Sequence, residues 1–322
     1  MVVPRPIKSN LKSKRIIWEE EKPIRWSFMK ILREFCTLKR EYPVNPYAEV
    51  YQFRDNLYCI FTESFDGAGD PWMYLIDGPE KCMLIDTAFG VGDLKGLVKE
   101  IVGDKQVIVV NTHAHYDHAY GNCQFDTCYC HEYEVPRMKE KNNPHIWDYL
   151  FDENGESIYT EFDRNDIVPY HEYKIVGVPD GHIFDLGGGY RVEAVHMPGH
   201  TPGQCAYYDL QNHTIFIGDT SGIGGAIQGE SYGEYCTVSA LRNSLRKLKP
   251  RFSEIQGVFP GHGMLDQSSI ILQYLLDAAE AVVDHPDRYD GKKEVMRHGK
   301  TQTIYTKNIY QGSAIRYNMN NI

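Results

Sequence analysis

Four side chains of metal-ligand type crowd one short stretch of the chain: His113, His115, Asp117 and His118, in HAHYDH, close behind the apolar run QVIVVN. Neutral imidazole and carboxylate are ligands that zinc, iron and manganese accept. Alternate residues of an extended chain face the same way, which aims His113 and His115 together. A turn beyond them carries Asp117 and His118 to an adjacent point, so the pattern predicts two neighbouring metal positions. Three later segments add one such side chain each: His200 in PGHTPG, Asp219 in FIGDTSG and His262 in FPGHG. Each stands where a glycine lets the backbone turn sharply at the end of a strand.

The elements that must position these residues follow from periodicity. NLYCIFTES, MYLIDG and CMLIDTA read as successive strands, broken by the turn chemistry of DGAGDP and DGPEK. GVGDLKGLVKEIVG reads as a helix ending at Gly103, and QVIVVN as a strand covered on both faces. A second passage begins after Gly187: YRVEAVHM, GQCAYYDL and HTIFIGD are strands, VSALRNSLRKLK is a helix, IQGVFPGHG is a strand running into a loop, and SSIILQYLLDAAEAVVD is a long amphipathic helix. Two strand-rich halves, each with helices, imply two sheets packed face to face with helices outside. No fixed-period repeat is present, which excludes a solenoid or propeller.

In the order and context of these motifs the chain resembles the metallo-β-lactamase fold superfamily, over roughly residues 49 to 285. That resemblance implies an α/β (α+β) fold, a four-layer αββα sandwich with a binuclear metal site in a groove at its edge. It implies that His113, His115 and His200 hold one metal, that Asp117, His118 and His262 hold the other, and that Asp219 bridges both. Asp86, in LIDTA, matches an early strand aspartate expected to orient the histidine loop through hydrogen bonds. Two divalent ions roughly 3.5–4 Å apart share a water and present it as hydroxide to an electrophilic carbon or phosphorus. The function implied is a metal-dependent hydrolase of an ester, thioester or lactone, similar to glyoxalase II and to lactonases. Asp117 is then also catalytic, orienting the hydroxide and carrying a proton to the leaving group. Zinc is the expected metal, with iron or manganese as alternatives. Phosphodiesterases and an iron-dependent persulfide dioxygenase are the competing branches, and retention of Asp117, His118 and His262 favours two metals over one iron. An intact bridging aspartate and the lack of an export signal argue against a secreted β-lactamase.

Composition narrows the partners. The 322 residues are 42% hydrophobic and 24% charged, which is ordinary for a globular protein. Residues 1–40 hold eleven Lys/Arg against four Glu, which leaves the rest with 23 basic and 40 acidic side chains, a balance of −17. Such a body repels phosphate backbones unless a local patch intervenes, so a small-molecule substrate is expected and nucleic acid is not. No apolar run is long enough to span a bilayer. With no secretory signal, the eight cysteines read as reduced thiols of a cytoplasmic protein. Cys123, Cys128 and Cys130 read as buried small side chains, in preference to a separate zinc site.

Residues 1–46 form a basic extension whose Phe28, Ile31, Leu32, Phe35 and Leu38 recur at helical spacing. Packing on this domain or on a second copy of the chain is preferred there over a membrane surface. Residues 47–290 form the catalytic domain. Within it 132–180 is an aromatic-rich insertion near the site, from which His145 and His171 are candidates to meet a substrate. His131, His182, His196, His213, His285 and His298 read as surface or supporting residues, and 291–322 as a tail ending in a polar edge hairpin.

Overall fold

The structure is a computed structural model, and it describes residues 7–17, 23–224, 229–297, 300–310 and 312–322. His298 and the first six residues of the basic extension lie outside these.

One sheet gathers β1 (Glu49–Arg54), β2 (Leu57–Phe61), β3 (Trp72–Asp77), β4 (Lys81–Ile85), β5 (Gln106–Val110), β6 (Thr127–His131) and β7 (Lys174–Val178), with Lys39–Arg40 as an edge strand beside β1. Strands β1 to β4 run antiparallel, whereas β4, β5, β6 and β7 are parallel. The crossover from β4 to β5 is α2 (Leu94–Val102). Asp93 caps it by accepting from the Gly96 N–H, and Gly103 closes it at a φ of 71°. The second sheet orders β8 (Ile183–Asp185), β9 (Arg191–His196), β10 (Cys205–Asp209), β11 (Thr214–Gly218) and β12 (Gly257–Pro260). Here β9, β11 and β12 point the same way.

Three apolar clusters separate four layers. Tyr51, Phe61, Trp72, Ile85, Tyr207, Phe216 and Phe259 fill the space between the sheets. Leu97, Val98, Met138, Trp147 and Leu150 cover the outer face of the first sheet. Leu241 and Leu245 of α5 (Val238–Leu248), with Leu272, Leu276 and Ala279 of α6 (Ile270–Asp284), cover the second. The chain is thus an αββα sandwich. Strands β10 and β11 touch both neighbouring layers, and every residue in them is buried. That is why they read as continuous apolar runs and not as alternating ones.

The N-terminal helix α1 (Pro23–Phe35) packs on this domain with only part of the face its apolar spacing suggests, Phe28 and Leu32. Met29 and Leu32 are buried in the inter-sheet cluster, whereas Ile31 is 63% and Phe35 68% exposed. The reason is Arg33. Its guanidinium is buried between Glu49 on β1 at 3.0 Å and Glu63 at 3.2 Å, and Ser9 accepts a further bond from it. That polar anchor holds the helix with Met29 and Leu32 inward and Ile31 and Phe35 outward. The C-terminal residues form a three-stranded antiparallel sheet, β13 (Gly291–Arg297), β14 (Lys300–Tyr310) and β15 (Ser313–Tyr317), which is one strand more than a hairpin. Ile315 and Tyr317 of β15 are buried in the α5–α6 cluster. Among the described residues no helix is long and apolar enough to cross a membrane.

Removing one partner of a buried ion pair leaves an uncompensated charge, which costs about 3–5 kcal/mol. Arg33→Ala is therefore expected to lower the unfolding free energy by about that amount, with Glu49 and Glu63 left facing each other. Urea denaturation measures it, and a loss below 1 kcal/mol would show that α1 is not anchored through Arg33.

Candidate metal centre

Parallel strands bring their C-terminal ends to one edge of a sheet, and both sheets do so at the same edge here. Asp86 follows β4, Thr112 and His113 follow β5, and one helical turn, α3 (Tyr116–Ala119), carries Asp117 and His118. From the second sheet come His200 beyond β9, Asp219 after β11 and His262 after β12. All seven candidate ligands converge. The ligand atoms of His113, His115 and His200 lie within 4.8 Å of one another, and so do those of Asp117, His118 and His262. His113, His118 and Asp219 make a third such group, which joins the other two.

In the first set His115 Nδ1 is 3.0 Å from His113 Nε2 and 2.9 Å from His200 Nε2. In the second, His262 Nε2 is 3.2 Å from both His118 Nε2 and Asp117 Oδ2. Asp219 stands between them, with Oδ2 3.1 Å from His262 and 3.8 Å from His200. Its Oδ1 is buried and accepts no hydrogen bond. A buried orphan carboxylate oxygen beside crowded imidazole nitrogens fits a divalent cation, since buried polar atoms are otherwise paired.

For His113, His118, His200 and His262 the far side of the ring shows which nitrogen faces inward. His118 Nδ1–H donates to Asp86 Oδ2 at 2.9 Å, and His262 Nδ1–H to the Asp70 carbonyl at 3.0 Å. His200 Nδ1–H donates to the Gly222 carbonyl. His113 Nδ1–H donates to Thr112 Oγ1 at 3.0 Å, and that hydroxyl donates on to Asp86 Oδ2 at 2.8 Å. Such contacts set the tautomer and orientation of a ligand ring. Asp86 also accepts from the Thr112 N–H at 2.7 Å, and it adopts a φ of 63°, a strained backbone for a residue with a Cβ. Gly261 is required beside it: a Cβ there would sit 2.2 Å from Asp219 Oδ1.

Electrostatics divides the two sets. Burial, then neighbouring imidazoles, pull His113 well below its usual range, and burial with His200 brings His115 down to about 3. These rings are neutral, as ligands must be. For His118 and His262 burial opposes the charged form, but the carboxylates of Asp117 and Asp219 outweigh it and push both up, His262 to about 10. Burial disfavours ionised Asp117 and Asp219 too, yet the adjacent imidazolium groups hold both well below the carboxylate range. Protons there occupy the place of positive charge that a metal ion would take.

Several supporting residues carry no local sequence signal. Glu134 is fully buried and ties two ligand loops together. Its Oε1 accepts from the Ala114 N–H at 2.8 Å, and its Oε2 accepts from Thr201 Oγ1 at 2.7 Å and the Gly203 N–H at 2.9 Å. Strand β15 clamps the Asp219 loop: the Arg316 N–H donates to the Ser221 carbonyl, and the Ile223 N–H donates to the Arg316 carbonyl. His145 and His171 lie on the surface beside Asp148 and Asp126, away from the cluster. Cys123, Cys128 and Cys130 are buried, and among the described residues no cysteine joins a ligand cluster. His131 instead stacks on His196, centroids 3.8 Å apart.

A family model described as "Metallo-beta-lactamase superfamily" matches residues 66–266. Among curated proteins, the chain is 25% identical over 227 residues to the acyl-coenzyme A thioesterase MBLAC2 of Homo sapiens, covering 65% of this chain and 78% of that protein. It is 28% identical over 206 residues to the hydroxyacylglutathione hydrolase of Pelagibacter ubique (strain HTCC1062), covering 62% and 70%. Among solved structures, the DIM-1 metallo-beta-lactamase superposes with a TM-score of 0.52 at 20% identity, over 74% of this chain and 99% of that one. That likeness concerns the fold.

Loss of a residue that orients ligands typically costs about 10–100-fold in metal affinity. Glu134→Ala is expected to weaken affinity by that factor at the His113–His115–His200 set, read by competition with a chromophoric chelator. An unaltered affinity would mean that the two loops hold their positions without it.

Proposed function

Because the chain belongs to the metallo-β-lactamase superfamily, we propose that it is a metal-dependent hydrolase that cleaves the thioester of a small acyl-thiol. The observation that carries the reading is the pair of adjacent ligand sets joined by Asp219 with its orphan oxygen. His113, His115 and His200 would hold one ion, Asp117, His118 and His262 the other, and Asp219 would touch both. Two divalent ions, zinc first among candidates, supply Lewis acidity and a water acidic enough to attack at neutral pH.

The chain's own groups account for the rest. Asp117 would orient the attacking water and take up its proton. Hydroxyl adds to the acyl carbon, the carbon–sulfur bond breaks, and the products are a carboxylate and a thiol. A thiol of pKa about 8.5 leaves readily as thiolate, which asks little of Asp117 as an acid. That favours a thioester over an ester, whose alkoxide must be protonated as it departs. Both curated relatives are named for an acyl group carried on a thiol, coenzyme A or glutathione. All eight cysteines are free thiols, which suits a reducing compartment such as the cytoplasm.

Elemental analysis of the purified protein, with a panel of thioester, ester, lactone and phosphodiester substrates, tests this reading. Two divalent ions per chain and turnover confined to acyl-thiols are expected. One iron per chain with oxygen consumption would replace it with an oxidative reaction. Asp219→Ala is expected to lose metal and to reduce turnover by about 10²–10³, the scale on which removing one transition-state electrostatic group acts. Full activity in that variant would refute a shared ligand.

A further inference from the structure

The insertion meets the metal centre at one end of the groove. Tyr116, between His115 and Asp117, is 36% exposed, and its ring centroid is 6.5 Å from that of His115. Tyr149 packs on it at 4.7 Å and donates its hydroxyl to Asp66 Oδ2 at 3.1 Å. Above the Tyr116 ring, 4.5 Å from its centroid, stands the ammonium of Lys141, the last residue of α4 (Val135–Lys141). Among the described residues Lys141 has no ion-pair partner. Arg137, one turn earlier, is by contrast held in both forks by Glu230. An unpaired cation seated on an aromatic face, next to a reaction centre and on a body of net negative charge, is built to receive an anion.

We propose that Lys141, positioned by Tyr116, determines substrate specificity by binding an anionic group, carboxylate or phosphate, on the leaving thiol. The inference rests on the hydrolase reading and names the thiol side of its substrate. Reach sets the kind of thiol. The ammonium is no more than about 11 Å from the His115 ring by the two ring distances, and an extended chain spans about 3.3–3.6 Å per residue. The acidic group therefore lies within about three residue lengths of the His115 ring.

One acyl group carried on three thiols tests this: glutathione, coenzyme A and the uncharged N-acetylcysteamine. Lys141→Glu is expected to lower the ratio of kcat/KM between a charged and the neutral thioester about tenfold, through KM, and Lys141→Arg is expected to restore most of it. Which charged thiol loses preference tells a carboxylate from a phosphate. An equal loss on all three, or no change in the ratio, overturns the proposal. Binding of desulfo-coenzyme A and S-methylglutathione, neither with a free thiol to reach a metal, gives a readout independent of turnover. The variant should weaken at least one about tenfold, and unchanged affinities for both overturn the proposal even where no thioester is hydrolysed. Absence of thioesterase activity in the unaltered protein alone defeats the hydrolase reading instead.

Discussion

Four of the five inward-facing histidines are aimed by something that holds the other side of the ring, and much of the molecule is arranged to supply that hold. Asp86 does so for His118 directly and for His113 through Thr112. It reaches both because β4 and β5 are parallel neighbours that end together, and because its own backbone takes a left-handed turn. Gly222 holds His200, and β15 in turn holds the loop around Gly222. The Asp70 carbonyl holds His262, while the Asp70 carboxylate pairs with Arg15 from the N-terminal extension. The two chain ends, which carry no ligand, therefore bear on the same ring orientations as the central strands.

Charge imposes a second condition on this edge. Five imidazoles and two carboxylates in one buried place repel or attract strongly at low dielectric, so their ionisation has to be shared out. The first set is neutral, and the second is a mixture of imidazolium and carboxylate. In the proposed function, divalent cations would replace protons in the second set and fill the gap between lone pairs in the first. Formal charge on the metal-free chain therefore overstates how negative the groove is when loaded.

Sequence pattern reveals the candidate ligands and the layers but not what lies between them. HAHYDH and the three glycine turns are local signals, because strand alternation and a sharp turn act over a few residues. The αββα order is legible for the same reason, through strands such as β11 that are apolar along their length. Glu134 is a different kind of residue. Its partners Ala114 and Gly203 are 20 and 69 positions away, and nothing in HEYEVP distinguishes it from a surface glutamate. The outward face of α1 was equally hidden. Apolar spacing groups Ile31 and Phe35 with Phe28 and Leu32, but with Arg33 buried against Glu49 and Glu63 only the latter two pack inward. Long-range polar contacts overrule local periodicity in both cases.

The insertion shows how one edge can keep its chemistry while its substrate changes. It touches no candidate ligand through its histidines, yet it braces the loop that faces the centre. Thr160 Oγ1 donates to the Ser64 carbonyl, Tyr149 holds Asp66, and the Tyr159 ring lies so close to Gly67 that a Cβ there would meet it at 2.8 Å. A loop held at three points by one segment takes its position from that segment. The position of the 64–67 loop is therefore set by residues 149–160, whereas the candidate ligands are positioned by the strands. Loops on a rigid scaffold vary more readily than the scaffold. Specificity placed there, next to Lys141 and Tyr116, can be altered without disturbing the hydrogen bonds through which Asp86 orients the rings.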